Sequence, residues 1–477
     1  MLFTTLNFLV FLFVTAVGNY LLPHCVRLLF LLAVSYLFYA LLQPSFALLL
    51  AAVTLIGYCG GLALDASRQE KPRRLLITIV SVICVGILLF FKYYDFIVSN
   101  INLLTSAVGV GRRLKEMHWL QPVGISFFTF QTLGYVIDVY RKKYSAERNL
   151  VRFALYVAFF PIILSGPIER GNHLLPQFSL KSHFDWDKIV HGIKTMLCGY
   201  FMKLVIAERI FTYLNYFYDF PQSCSSATLW LATLLYPIGL YADFAGYSLI
   251  AIGATNILGF EVLNNFERPF FAENIPGFWR RWHISLTSWM TEYVYTPLSI
   301  ILRDFGIGGI AIASFVVFLL VGIWHGASWN YIAFGCLHGL FVAASVLKQK
   351  RLKKFEKKHG LKANISYHIA NRIVTYLLVA LAFVLFRSTS LSNACNFYRG
   401  LLRRGGVLNT GLSSVQFAIM IFFALGLVAI EALQEKMHWT FLNNKHIAVR
   451  WGSCVFLYIF LLLLGCFDNN AFVYLQF

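Results

Sequence analysis

The chain predicts an all-α integral membrane protein, with about ten to twelve transmembrane helices and shorter re-entrant or interfacial helices between them. Three observations predict it. Hydrophobic residues make up 59% of the 477 positions and charged residues 13%, against about 25% charged in a soluble domain. Apolar runs long enough to cross a bilayer recur from end to end. The basic residues fall mainly in the short connections between those runs.

Taken in order, "LFTTLNFLVFLFVTAVGNYLL" opens the chain without a basic n-region or a small-residue cleavage site, so it reads as a retained helix rather than a removed signal peptide. The runs "LLFLLAVSYLFYALL", "FALLLAAVTLIGYCGGLAL" and "LLITIVSVICVGILLFF" follow, and residues 1 to 91 are nearly pure hydrocarbon. From 92 to 345 the apolar background takes up Gly, Pro, Asn, Asp, His and Arg, so the chemistry is expected there. Gln131 and Asp138 lie in "PVGISFFTFQTLGYVIDVYR", and Glu169, Arg170, Asn172 and His173 follow a Gly-Pro break in "PIILSGPIERGNHLLPQ". "IGGIAIASFVVFLLVGIW" is a further span. Beyond the basic connection at 348–360 come "IVTYLLVALAFVLF", a polar break with one short helix, then "FAIMIFFALGLVAIEAL" and "CVFLYIFLLLLG". These last spans are expected to pack around the site. No period of 20 to 50 residues repeats, and one membrane domain over 1–477 is the simplest organisation, with its catalytic region at about 122–345.

A net charge of +19 invites a nucleic-acid partner, but the charge is not gathered on one polar module, and topology explains it better. With "RQEKPRR" (68–74), "RKKYSAERNLVR" (141–152) and "KQKRLKKFEKKHG" (348–360) on the cytoplasmic side, the positive-inside rule is satisfied and the N-terminus lies outside. The same runs can touch anionic lipid headgroups. Nine cysteines, with no C-x-x-C pair, suggest neither a disulfide framework nor a zinc site and read mostly as small packing residues.

Two stretches concentrate polar chemistry. A continuous helix through 279–293 gathers Trp279, Trp282, Leu286, Trp289, Met290 and Tyr293 on one arc and Arg280, Arg281, Ser285, Thr287, Ser288, Thr291 and Glu292 on the other, with His283 at the seam. An interfacial helix with an aromatic belt and headgroup-seeking arginines has the same pattern; a histidine at the seam instead suits a helix facing a wet crevice. In "VGIWHGASWNYIAFGCLHGL" (321–340), His325 follows an uncharged run and lies at hydrocarbon depth or its edge. A core histidine satisfied by one carbonyl is the competing reading. Gly322 and Gly326 flank His325, and Gly335 and Gly339 flank His338, at spacings that let helices approach closely. Ser328, Trp329 and Asn330 add polar groups one turn away. On a continuous helix His325 and His338 would stand about 20 Å apart on different faces, which is no metal pair. Asp243, in "LYADFAGYSLIAIG", is first a structural candidate, since buried acids usually pair with Arg or orient His. No nucleophile elbow, P-loop or dinucleotide fingerprint is present, which leaves a general-base histidine as the most economical catalytic unit.

Taken together, "FWRRWHISLTSW", "IWHGASWNYIAFGCLHG", "DFAGYS", "NNFERPF" and "GISFFTFQTLGYVIDVYR" resemble the membrane-bound O-acyltransferase family, in its bacterial alginate and peptidoglycan O-acetylation branch. "DFAGYSLIAIG" is more similar to the teichoic-acid D-alanyl branch. The resemblance implies helices around a central tunnel, an acyl thioester donor (acetyl-CoA or an acyl carrier) reached from the cytoplasm, and no permanently bound cofactor or metal. It also implies an extracytoplasmic polysaccharide acceptor, or a partner acetyltransferase, in a bacterial inner membrane. The family's near-invariant histidine matches His325 and its upstream polar position His283, implying catalytic roles, with His338 supporting. Trp279, Arg280, Arg281, Trp282, Trp324, Ser328, Trp329, Asn330 and Asp243 are then expected to line the substrate site. Where the branch carries Arg-Asp after the tryptophan helix, this chain has Thr291 and Glu292. A sugar transporter would show inverted repeats, which the sequence lacks, and a non-catalytic scaffold for a partner acetyltransferase is the other alternative.

Overall fold

The computed structural model describes residues 2–109, 113–181, 183–403, 405–409, 411–437, 441–442 and 444–467. Among them the chain is helical, and the only strand-like pairing is a single antiparallel bridge between Phe266 and Trp282. Ten helices are long and apolar enough to cross a membrane, from His24–Leu42 to Ile447–Leu464, with shorter apolar helices at Leu6–Leu21 and Leu150–Ile163. Prolines punctuate the first turns of the chain. Pro23 caps His24–Leu42 and Pro44 opens the single turn before Ala47–Ala66, where a missing N–H costs nothing. Large apolar side chains such as Leu48, Val82 and Leu463 face outward, whereas Asn19, Gln131, Lys203 and Asp243 are buried. That inversion is what a hydrocarbon solvent demands.

The chain forms two compact units, Met1–Met196 with Ala251–Leu263, and Leu197–Ile250 with Asn264–Phe477. In the first, Ala47–Ala66 packs on Ile125–Tyr140 through glycines. A Cβ on Gly57 would fall 2.3 Å from Thr132 Cγ2, and one on Gly61 2.7 Å from Tyr135 Cε1. Ile125–Tyr140 is buried almost all round, so its uniform hydrophobicity is that of a core helix. The polar interruptions expected in this region find local partners. Gln131 donates to the Tyr156 carbonyl, Asp138 pairs with Lys143 at 2.9 Å, and Glu169 takes the Leu263 N–H at 2.6 Å and His173 Nδ1 at 2.8 Å.

In the second unit, Gly306–His325 and Trp329–Lys358 form an antiparallel hairpin. The basic run expected as a connection continues the second arm as its last helical turns, with Lys357 and Lys358 at the negative end of the helix dipole. The helix Ile365–Arg387 packs beside it, and the polar break after it contains the short helix Leu391–Leu401. Most cysteines do not sit in a core: Cys84 is buried, while Cys25, Cys59 and Cys395 are exposed.

Candidate functional site

The segment 278–289 is not the continuous helix that its periodicity suggests. Ile275–Trp279 ends after five residues, and Ile284–Met290 begins with His283 as its N-cap at φ 46°, ψ 54°. That left-handed conformation is costly for a residue with a Cβ, and a template holds it. Asn265 Oδ1 accepts from Ser285 Oγ at 2.6 Å and Ser285 N at 3.3 Å, and the Asn265 carbonyl accepts from Ile284 N at 2.9 Å. Glu267 N donates to the Arg281 carbonyl at 3.0 Å beside the Phe266–Trp282 bridge. Nothing in the 279–293 periodicity encodes this, because the partner strand is supplied by "NNFER".

The corner sends His283 inward and the arginines outward. His283 is fully buried, edge-on to Phe244 with ring centroids 4.7 Å apart and 5.6 Å from Trp324. Desolvation pushes its pKa down to about 3, so the ring is neutral at physiological pH. Trp282 stacks on Phe278 at 5.3 Å inside the same core. Arg280 is exposed. Arg281 Nη1 lies 2.9 Å from Glu435 Oε1, whose other oxygen is 3.1 Å from Arg268 Nε, so Arg281 is held by a carboxylate of the helix Ser414–Met437.

At the hairpin corner, glycine does what its spacing promised. A Cβ on Gly322 would fall 2.4 Å from the Tyr331 carbonyl, and one on Gly335 2.6 Å from the Phe318 carbonyl. His325 is the last residue of its helix, before an extended Gly326. Because the chain reverses there, His325 and His338 are not separated along one axis: both rings pack on Phe334, at 6.0 and 4.6 Å. Trp324 contacts both rings, with its centroid 5.1 Å from that of His325 and 5.6 Å from that of His283. Phe386, from Ile365–Arg387, covers His325 at 5.0 Å, so the later spans wall the site as expected.

The remaining expected residues separate by what they bond. Trp279 Nε1 donates to His338 Nδ1 at 3.1 Å, which leaves the proton of the neutral His338 ring on Nε2. Ser328 bonds Asn330, and Asn330 Nδ2 donates to the carbonyls of Ser388 at 2.8 Å and Leu385 at 3.2 Å, fastening the corner to Ile365–Arg387. Trp329 is more than half exposed. The Asp243 carboxylate meets Lys203 Nζ at 2.5 Å, and Lys203 also bonds Glu208, all three groups buried, so a lysine takes a place where an arginine or a histidine was expected. Lys203, Asn265 and Glu435 were not expected in the site. A lone lysine inside "YFMKLVIA" was the one signal for the first.

The candidate site therefore brings together two imidazoles, His283 and His325, that both contact Trp324, inside an aromatic shell that a third, His338, shares through Phe334. A neutral imidazole with dry neighbours can accept a proton from a hydroxyl and return it to a leaving group. The sequence matches the family model described as MBOAT, membrane-bound O-acyltransferase, over residues 141–392. It is 33% identical over 444 residues to a probable alginate O-acetylase of Pseudomonas aeruginosa, covering 88% of this chain and 81% of that protein. It is 29% identical to a peptidoglycan O-acetyltransferase of Helicobacter pylori, covering 80% and 74% of the two chains. A teichoic acid D-alanyltransferase of Streptococcus thermophilus is 30% identical over 56% of this chain and 68% of its own.

Proposed function

The chain belongs to the membrane-bound O-acyltransferase family and is a multi-pass O-acyltransferase; on that premise we propose that it moves an acetyl group from a cytoplasmic thioester to a hydroxyl of an extracytoplasmic polysaccharide. The donor is acetyl-CoA or an acyl carrier, and transfer is direct or passes through a partner acetyltransferase. The protein sits in a bacterial inner membrane with its N-terminus outside, in keeping with the basic runs at 68–74, 141–152 and 348–360.

In this reading His325 is the general base. It takes the proton of the acceptor hydroxyl as the oxygen attacks the thioester carbonyl, and the imidazolium then protonates the departing thiolate. The observation that carries the assignment is the position of His325 at the C-terminal end of Gly306–His325, under Trp324, Phe334 and Phe386. A helix C-terminus favours the positive charge that forms during transfer, and the aromatic shell keeps bulk water from competing with the acceptor. His283, neutral and in contact with Trp324, is the second catalytic group, orienting acceptor or donor. Trp279, Trp282 and Trp324 shape the chamber. Arg280 is the arginine with an uncommitted, outward position for an anionic part of the donor; Arg281 reaches that role only by releasing Glu435. Ser328, Asn330 and Asp243 act by holding the corner and the buried lysine rather than by touching substrate, Trp329 acts from the outer surface, and His338 supports Phe334.

Acetyl is favoured over D-alanyl by coverage, since the acetylases match most of this chain and the D-alanyltransferase about half. The test is reconstitution in proteoliposomes with acetyl-CoA inside and an oligosaccharide acceptor outside. Acetylated product is expected from the wild-type protein, and His325→Ala, folded to the same melting temperature, is expected to lose roughly 10²–10⁴-fold in rate. Product formation by the variant at the wild-type rate excludes His325.

A further inference from the structure

Two adjoining clefts lie at the hairpin-corner end of the second unit. One, of about 450 Å³, is lined by Tyr216, Asp219, Phe220, Gln222, Asn393 and Asn396, among others. The other, of about 310 Å³, shares Tyr216 and Ser223 with the first and continues past Ser225, Thr228 and Asn409. Both volumes fall at the lower end of the range of small-molecule sites. Tyr216 Oη and Ser223 Oγ, 3.5 Å apart, form the ridge between them.

The clefts are built rather than accidental. Ser225 Oγ donates to the Val407 carbonyl at 2.9 Å, Thr228 Oγ1 to the Asn409 carbonyl at 3.0 Å, and Arg403 Nη1 to the Gln222 carbonyl at 3.1 Å. One three-residue stretch joins them to the histidine site. Phe386 covers His325 at 5.0 Å, Arg387 reaches Asn215 Oδ1 at 2.8 Å and Asp219 Oδ1 at 3.4 Å, and the Ser388 carbonyl takes Asn330 Nδ2 at 2.8 Å. Asn330 lies in the first turn of a 30-residue helix, Trp329–Lys358, whose far end is the basic run, about 45 Å away along the axis.

The lining is mostly aromatic faces, amides and hydroxyls. Tyr216 and Phe220 present rings 5.4 Å apart. Asp219 is the one charged residue among those lining the two clefts, and Arg387 lies 3.4 Å from its carboxylate. Amides and hydroxyls offer both donors and acceptors to a polyol, and aromatic rings offer an apolar face to the C–H side of a sugar ring. A carboxylated sugar would find no lysine or arginine in the lining to pair with, since Arg387 is committed to Asp219 and Asn215 and Arg403 to the Gln222 carbonyl.

We propose that these joined clefts are a carbohydrate subsite, which holds several consecutive uncharged sugar units of the acceptor and selects them over uronates. This rests on the acyltransferase reading above, which supplies the acceptor, but it concerns binding and is tested apart from transfer.

The test uses the full-length protein in lipid nanodiscs with two probes, cellotetraose and tetramannuronate, followed by saturation-transfer NMR. Cellotetraose is expected to receive saturation and tetramannuronate little. The Kd for cellotetraose is expected to rise about tenfold or more in Tyr216→Ala and Phe220→Ala, a loss on the scale of one aromatic contact. Gln222→Ala, at an exposed position, guards against misfolding of the aromatic variants and is expected to weaken binding less. His325→Ala is expected to bind cellotetraose as the wild type does while losing thioester consumption. Cellotetraose binding that persists in all three cleft variants overturns the subsite, as does binding of tetramannuronate alone or of neither probe. Cleft-dependent binding by a protein that consumes no acetyl thioester would leave the subsite standing and defeat the catalytic reading instead.

Discussion

His283 and His325 differ in what their surroundings let them do. His283 is a buried ring in a left-handed corner, and burial pulls its pKa to about 3. The unfolded chain binds a proton on that residue below about pH 6.5 while the folded chain refuses it until near pH 3, so acidification favours unfolding across that window. The melting temperature in detergent should therefore fall between pH 6.5 and 4, and His283→Gln should flatten the fall; an unchanged slope would remove His283 as its cause. Asn265 holds the same corner, and Asn265→Ala removes the acceptor that takes two buried Ser285 donors, for an expected loss of about 1–3 kcal/mol, measured by thermal unfolding. The histidines themselves were legible in the sequence as titratable groups out of place in hydrocarbon. Their common neighbour Trp324 was legible only as an aromatic near one of them, since its contact with His283 joins residues 41 positions apart.

At the level of elements, periodicity and hydropathy identify helices but not the corners between them. The run through 307–324 became the first arm of the hairpin, its second arm, Trp329–Lys358, was not marked as a run, and the Gly322 and Gly335 spacings correctly signalled close approach. The 279–293 segment failed because a bridge to Phe266 and the Asn265 side chain override local helix preference, a tertiary effect that no window of neighbours contains. Gly335→Ala places a methyl 2.6 Å from a backbone carbonyl and is expected to cost about 1–3 kcal/mol, read as a lower melting temperature with thioester consumption falling in parallel. Lys203 lies between Asp243 and Glu208 in a short π-helical stretch. Lys203→Met leaves two carboxylates buried without their cation and should destabilise by roughly 3–5 kcal/mol. The triple variant with Asp243→Asn and Glu208→Gln should recover much of that loss; failure to recover would show that the lysine acts beyond charge pairing.

For the whole molecule, the number and nature of the spans followed from apolar runs because the bilayer allows little else, and ten such helices are present among the described residues. The pairing of distant helices was not legible, because every span carries much the same hydrocarbon and only sparse glycines mark where two approach. The proposed topology predicts that a cysteine at Lys353 in an otherwise cysteine-free protein is labelled by an impermeant maleimide only from the cytoplasmic face, while one at Gln222 is labelled from the opposite face; labelling of both from one side would break the proposed sidedness. The most direct measurement for the account as a whole is acetyl transfer across a sealed vesicle, from acetyl-CoA enclosed on the side of Lys353 to cellotetraose on the side of Gln222. The account predicts acetylated oligosaccharide outside and free CoA inside in equal amounts, both abolished by His325→Ala. Equal product from the His325→Ala vesicles would contradict it.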